Sequence, residues 1–530
     1  MLFSLKENFG FDTFRYPQEK IIRHTQKNYD QLVVLPTGSG KSICFQLPAI
    51  MSKGITIIIS PLKSLIKDQV HNLRKKGIKV MSFYGDTPNK EKLEIKNEMA
   101  ALTHSCHLIY TTPETIEKNE EFQRCLHMLE FRNFLDRFVI DEAHCISHWG
   151  NNFRPSYRAL EKIRTIWPSV PIMALTATAP PSVQSDIVKL LKFKQYKLYT
   201  KSYFRKNLKI RILNKKSTSK EHNRHLADLI VASEFDKVSG IIYCQTRKKC
   251  EKLQAYLQEK GIVSRAYHAG LKKKDRDAAE TLWRNNQINI IIATIAFGMG
   301  IDKGDVRFVI HNDIPFSIES YYQEIGRAGR DGLTSYCILY YSEKDRVAAK
   351  KLIKYSYVNG LKYKTNKTEI LNHKDNLKHT ISLLDKFEDF CLTHTCRHQG
   401  ISDYLGEKNL ESCESSCDNC IRNKVLMTIN ITPIANNIIT IIKDLRSSAY
   451  KTNILKSFKN KWVNTYIIKY KTKKYVLELF EKTFIYLRRN KFIQERVIKL
   501  QSVHSYMSVY FLYSKSKQIL DNNISIDIKV

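Results

Sequence analysis

Gln31-Leu-Val-Val-Leu35 runs directly into Pro36-Thr37-Gly38-Ser39-Gly40-Lys41-Ser42. A short β-branched-rich run, a glycine-rich turn, then Lys, Ser and an apolar stretch read as strand, loop and helix. The glycines let backbone N–H groups turn inward, and the start of the helix adds its positive end. Thr37, Gly38, Ser39 and Gly40 therefore read as a cradle for phosphate oxygens. Lys41 would reach the outer phosphates, and the Ser42 hydroxyl would sit on Mg²⁺. The loop is a shortened variant of the full pattern, and taken alone it also fits an ordinary strand–turn–helix junction.

Working outward, Ile55–Ile59, His107–Tyr110, Phe138–Ile140 and Ile172–Leu175 are further short apolar runs, each closed by a turn or small polar residue. Amphipathic stretches such as Leu62–Lys76 separate them, the pattern of a parallel sheet wrapped by helices. It recurs at Gly240–Tyr243, Ile288–Ala293, Phe308–Ile310 and Tyr336–Leu339. The fold class is thus α/β with two tandem parallel-sheet domains, over 1–205 and 206–345. Helical, Lys-rich segments and a cysteine cluster occupy 346–424, and a basic region follows over 425–530. No short-period repeat or low-complexity linker interrupts them.

The chain has 530 residues, with 87 Lys+Arg against 52 Asp+Glu and a net charge of +35. A hydrophobic fraction of 43% and a charged fraction of 26% are globular values. The longest apolar runs are far too short to span a bilayer. The start, Met1-Leu-Phe-Ser-Leu-Lys6, lacks the apolar run of a signal peptide. Twelve Cys in so long a chain do not make a secreted disulfide scaffold. The expectation is a soluble intracellular protein with no membrane partner. The charge excess suggests a polyanion such as nucleic acid, although Lys-rich codon usage alone would also raise it. Residues 421–530 concentrate it, at net +15.

Two further motifs bear on the phosphate loop. Phe138-Val-Ile-Asp141-Glu142-Ala-His144 puts two carboxylates at the tip of an apolar strand. Asp141 would hold Mg²⁺ through water and Glu142 would polarise an attacking water. Gln323-Glu-Ile-Gly326-Arg327-Ala-Gly-Arg330 places two arginines close together in the second domain, flanked by small residues. Arginines that meet a terminal phosphate only when two domains close are arginine fingers. Ordinary surface arginines and a helix-capping carboxylate pair are the alternatives.

A separate cluster follows. Cys396 is trailed by sixteen residues and then Cys413-x3-Cys417-x2-Cys420. Close pairs of this kind gather thiolates around one tetrahedral Zn²⁺, whose role would be to hold the fold together. The other eight cysteines lie mostly in apolar runs and read as buried thiols. His394 and His398 flank Cys396 but are left out of the ligand set.

In order along the chain, Gly38–Ser42, Asp141–His144, Thr176-Ala-Thr-Ala179 and Gln323–Arg330 resemble the motifs of superfamily 2 helicases. Finer wording resembles the RecQ helicases. Phe14-Arg15-Tyr-Pro-Gln18-Glu19 looks like their upstream motif, which implies nucleotide contacts from Arg15 and an adenine-reading Gln18. Ser60–Gln69 and Ala293–Asp302 resemble the motifs that touch DNA and couple it to ATP, and Thr176-Ala-Thr178 would link hydrolysis to movement. Asp141–Gly150 with Asn152–Tyr157 resembles the aromatic-rich loop that senses single strands. Trp149 and Phe153 would offer stacking faces and Arg154 a charge, with core packing as the plain alternative. His144 and His148 read as structural rather than metal-binding, and His268 and His311 carry no argued role. The cysteines resemble the RecQ zinc module, with His398 where a second Arg is common.

The region after the cysteines is where RecQ proteins carry a winged helix. Ile438–Leu445 and Lys474–Arg489 read as helices, and Phe492–Leu500 and Met507–Leu512 as a hairpin. Its tip includes His504 and Tyr506. Tyr506 is the candidate strand-separating residue, with a plain exposed turn as the alternative. No further helical domain is expected. The resemblance implies an ATP-dependent DNA helicase moving 3′→5′ on single strands and opening forked duplexes, with ATP, Mg²⁺ and Zn²⁺ and roles in DNA repair, recombination or replication. RNA is a further partner to weigh. An RNA helicase, a duplex translocase and an annealing protein without unwinding are the rivals.

Overall fold

The computed structural model describes residues 1–147, 155–298, 301, 303–362, 366–408, 412–422, 428–499, 506–521 and 524–529. It divides into two compact units, Met1–Arg422 and Asn423–Val530.

The first unit contains two all-parallel sheets. In lobe 1 the strands are β1 Asp30–Val34, β2 Ile55–Ile59, β3 Met81–Phe83, β4 Leu108–Thr111, β5 Leu135–Ile140, β6 Ile172–Thr176 and β7 Tyr196–Thr200. They lie in the order β3-β4-β2-β5-β6-β1-β7. In lobe 2, β8 Leu208–Asn214, β9 Gly240–Tyr243, β10 Ser264–Tyr267, β11 Ile290–Ala293, β12 Phe308–His311 and β13 Ser335–Tyr341 lie in the order β10-β11-β9-β12-β13-β8. Central strands such as β2 are buried at every position, because helices cover both faces of the sheet. Helix starts follow local chemistry. The Asn119 side chain accepts from Phe122 N, Thr218 and Glu221 form a reciprocal capping box, and Ser317 and Ser342 each cap a helix.

The sequence pattern finds the central strands but misses β3, β7, β8 and β10. All four lie at sheet edges, β3 and β7 in lobe 1 and β10 and β8 in lobe 2. β7 is mostly exposed and β8 alternates, so neither presents the continuous apolar run of a doubly covered strand.

After β13, helices Glu343–Leu361 and Lys367–Leu392 pack antiparallel. Tyr357 stacks on His373 at 4.7 Å, and buried Arg346 lies between Glu343 (3.0 Å) and Glu388 (3.5 Å). Helix Arg397–Leu405 and the cysteine loop complete the unit.

In the second unit, helices Thr432–Leu445, Lys451–Lys461, Val463–Tyr470 and Lys473–Arg489 precede an antiparallel hairpin, Ile493–Lys499 with Tyr506–Leu512. The sequence reading has the first and last of these helices and the hairpin, and lacks the two between. Strand Asp527–Lys529 returns to pair with Thr428–Asn430. The core is Ile438, Ile442, Phe458, Phe480, Phe484 and their neighbours. No helix among the described residues is long and apolar enough to cross a membrane.

Candidate functional site

β1 delivers the glycine-rich loop at its C-terminal end. Gly38 (φ +81°) and Gly40 (φ +76°) sit in the left-handed region, where a Cβ would be strained. Two residues upstream brace the loop. Arg15 Nη1 donates to Gly38 O at 2.9 Å, and Gln18 Nε2 donates to Gly40 O at 2.9 Å. Gln18 Oε1 accepts from Arg15 N at 2.9 Å, so the side chain expected to read a base edge here holds the loop. Lys41 Nζ lies over its own loop, donating to Leu35 O at 2.9 Å. Burial lowers its pKa, opposed by the charges of Glu142 and Asp141. Ser42 precedes helix Ile43–Ile50 with no side-chain capping hydrogen bond.

β5 delivers the carboxylates. Asp141 N donates to Ile59 O (2.9 Å), and Glu142 takes a left-handed conformation (φ +50°) that turns the chain sharply. Burial, then the adjacent Glu142 charge, pushes the Asp141 carboxyl up to about 7. Burial acts the same way on Glu142, but His144, 3.2 Å away, outweighs it and holds that pKa below the ordinary value. The pair is therefore split, with the Glu142 carboxyl held down and the Asp141 carboxyl pushed up. His144 also meets Thr176 Oγ1 at 2.9 Å. It is a buried structural hydrogen-bonder, as its sequence context suggests, and this link ties the carboxylates to the Thr176-Ala-Thr178 segment.

Lobe 2 faces this site with the Gln323–Arg330 segment, which begins in helix Ile318–Ile325. Thr37 Oγ1 donates to Gly326 O (3.2 Å), and Gln323 Nε2 donates to Thr178 Oγ1 (3.0 Å). A Cβ built on Gly38 would lie 3.6 Å from Arg330 Cγ, so Arg330 covers the phosphate loop. Arg327 donates to Gly298 O and is among the cations that lower the Glu142 pKa. Arg330 thus reaches the phosphate loop of lobe 1, while Arg327 is held within lobe 2 and acts on Glu142 through its charge. A cleft of about 1170 Å³ joins Leu62, Lys63, Ser64, Lys67 and Asp68 of lobe 1 to Ile295, Ala296, Phe297 and Gly298 of lobe 2, with Lys273 and Arg276 also on its walls. It brings together the two segments expected to couple a polymer to the nucleotide.

The four cysteines of the C-terminal cluster converge. Their Sγ atoms all lie within 4.8 Å of one another, with Cys396 and Cys417 at 3.9 Å. No disulfide joins them, and Arg397 N donates to Cys417 Sγ at 3.4 Å. Four thiols in this space fit a tetrahedral Zn²⁺, and no histidine belongs to the group. Arg397 is buried and donates to Asp418 (3.0 Å) and Phe390 O (2.6 Å), so it clamps the module. His398 is buried edge-on against Phe204, which gives it a packing place rather than an exposed basic one. The remaining eight cysteines are buried or nearly so, matching their reading as packed thiols.

Trp149, Phe153, Arg154, His148 and His504 lie outside the described residues. For Tyr506 the backbone alone is described, paired with Lys499. Sequence reasoning missed the partners of His311 (Glu324, 2.7 Å) and His268 (Glu251, 3.1 Å), and the contacts of Thr37, since nothing local marks them.

Residues 15–187 match the DEAD/DEAH box helicase family, 221–332 the helicase conserved C-terminal domain and 343–421 the RecQ zinc-binding family. The chain is 40% identical over 446 residues to ATP-dependent DNA helicase Q-like 4B of Arabidopsis thaliana, covering 82% of this chain and 38% of that protein. It is 35% identical over 529 residues to a candidate ATP-dependent DNA helicase Q1 of Caenorhabditis briggsae, covering 98% and 82%. The crystal structure of the DUF1998 helicase MrfA bound to DNA has a TM-score of 0.54 at 21% identity, over 66% of this chain and 52% of that one, a likeness of fold alone. The chain spans 32% to 44% of the length of the plant protein and two other RecQ-like relatives. With helicase and zinc-binding domains in this order, and more than a third of its residues shared with a relative matched over most of its length, the chain belongs to the RecQ-like DNA helicase family.

Proposed function

We propose that this protein is an ATP-dependent DNA helicase that moves 3′→5′ along single strands and opens forked duplexes. The observation that carries the reading is the meeting of two half-sites, with the Arg330 side chain over Gly38 and Gln323 hydrogen-bonded to Thr178. Thr37–Ser42, braced by Arg15 and Gln18, would hold the phosphates of ATP. Ser42 and Asp141 would hold Mg²⁺, which neutralises phosphate charge, and the raised Asp141 pKa marks a half-buried acid in need of a cation. Glu142, kept ionised by His144, would orient the attacking water, and Arg327 and Arg330 would stabilise charge on the terminal phosphate. Hydrolysis would loosen the lobe contact and move the cleft along its polymer. Cys396, Cys413, Cys417 and Cys420 would hold structural Zn²⁺. Trp149, Phe153, Arg154 and Tyr506 remain the assigned DNA contacts, and 425–530 the assigned duplex-binding domain. The setting is intracellular and soluble, serving DNA repair, recombination or replication.

Strand displacement on 3′-tailed and 5′-tailed duplexes with Mg-ATP tests this. Opening from the 3′ tail alone, abolished in Lys41→Ala, is expected. Equal opening of RNA duplexes would favour an RNA helicase, ATP hydrolysis without opening a duplex translocase, and activity indifferent to Lys41→Ala an annealing protein.

A further inference from the structure

The loop that carries Arg327 and Arg330 is held from behind by the segment joining the two lobes. Arg205, in the stretch 201–207 between β7 and β8, donates from Nη1 to Gly326 O (3.1 Å). From Nη2 it donates to Ala328 O (2.9 Å) and Gly329 O (2.5 Å). Asn207 Nδ2 adds bonds to Gly329 O (2.9 Å) and Leu333 O (3.0 Å). The Gly326, Ala328 and Gly329 carbonyls follow closely on the C-terminal end of helix Ile318–Ile325. Unpaired C=O groups and the negative end of the helix dipole gather there, and a planar guanidinium suits both.

The geometry is directional. The carbonyls of Gly326 and Gly329 belong to the peptide units that immediately precede Arg327 and Arg330. Holding both orients the peptide planes that place N and Cα of each arginine, and so restricts the directions in which the two side chains can leave the backbone. The joining segment is itself anchored, since Tyr203 O accepts from Tyr322 Oη (3.0 Å) and Tyr203 N donates to Glu407 Oε2 (2.9 Å). Gly326 O also accepts from Thr37, so one carbonyl is shared by the hinge segment and the phosphate loop.

We propose that Arg205 is a positioning residue for the arginine pair, so that the angle of the inter-lobe segment sets whether the guanidinium groups reach the terminal phosphate. This rests on the ATP-hydrolysing reading above. A lysine would keep the charge, but its three N–H donors share one nitrogen and lack the planar fork with which Nη1 and Nη2 span three carbonyls.

The test uses the full chain. For Arg205→Lys and Arg205→Ala, kcat for DNA-stimulated ATP hydrolysis should fall about 10- to 100-fold while KM and ADP affinity stay within about threefold. Affinity for ADP–fluoroaluminate, which mimics the transferring phosphoryl group, should fall in parallel with kcat. A brace that only stabilised the fold would move Tm without separating ground-state from transition-state binding. Asn207→Ala serves should the Arg205 variants not fold, with an expected loss of about 3- to 10-fold in kcat. Unchanged kcat in folded Arg205 variants, unchanged ADP–fluoroaluminate affinity, or unchanged kcat in Asn207→Ala overturns the inference while leaving the ATPase reading intact. A wild-type chain that hydrolyses no ATP overturns both.

Discussion

The fourth strand of each sheet, β5 in lobe 1 and β12 in lobe 2, leads into an aspartate, half-buried Asp141 and buried Asp313, yet the two carboxyls behave in opposite ways. Asp141 follows β5 beside another carboxylate and is pushed up to about 7. Asp313 follows β12, and although burial pushes it up, Lys215 at 2.8 Å and Lys249 at 2.5 Å outweigh that and hold it at about 2. The scaffold is the same; the local count of cations differs. Lobe 1 leaves its acid beside another carboxylate, while lobe 2 neutralises its acid internally with two lysines.

The strongest way to break this comparison is to remove Glu142. Glu142→Gln should lower ATP turnover about 10²- to 10⁴-fold with nucleotide binding retained, read in a coupled hydrolysis assay. Asp313→Asn should cost turnover far less, and an equal loss would erase the distinction between the lobes. Metal removal asks next whether the lobes are equally self-sufficient. One zinc per chain is expected by metal analysis, and Cys417→Ser or chelation should destabilise the first unit by on the order of 5 kcal/mol in calorimetry.

Titration sharpens the contrast further. A carboxyl depressed from 3.8 to about 2 contributes stability present above pH 4 and lost as pH falls through 2. Asp313→Asn should therefore lower stability at pH 7 by about 2 kcal/mol and flatten its acid limb in denaturant titrations. Asp141 has the other sign. Its raised pKa favours the protonated fold, so its contribution declines as pH rises from 4 through 7, and Asp141→Asn should raise the Tm of nucleotide-free protein at pH 8. The smallest effect belongs to the helix starts, where Thr218→Ala in lobe 2 and Asn119→Ala in lobe 1 should each cost about 1 kcal/mol in urea unfolding.

Much of lobe 1 is legible from the chain because its chemistry is local. Gly38, Gly40, Lys41, Asp141 and Glu142 announce themselves through neighbours a few residues away, as do Cys413, Cys417 and Cys420. Arg205 and the reach of Thr37 to Gly326 are silent in the sequence, because the partners lie more than a hundred residues distant and an Arg in a polar stretch looks like any surface charge. His144 reads as structural, and only the fold shows that it keeps Glu142 ionised. The edge strands escape for a related reason. β7 and β8 are half-solvated, so burial leaves a weaker imprint on their composition than on β2 or β11.

The cysteine loop has one more consequence. Ile210 N in β8 donates to Ser416 O (2.9 Å), and Ile212 N donates to the Asp418 carboxylate (3.3 Å). The loop therefore occupies backbone donors that an outermost strand would otherwise offer to any passing chain. Stripping the thiolates of their ion would uncover a template for intermolecular pairing, and demetallated protein should be lost first to aggregation, seen as light scattering, before its nucleotide cleft is damaged.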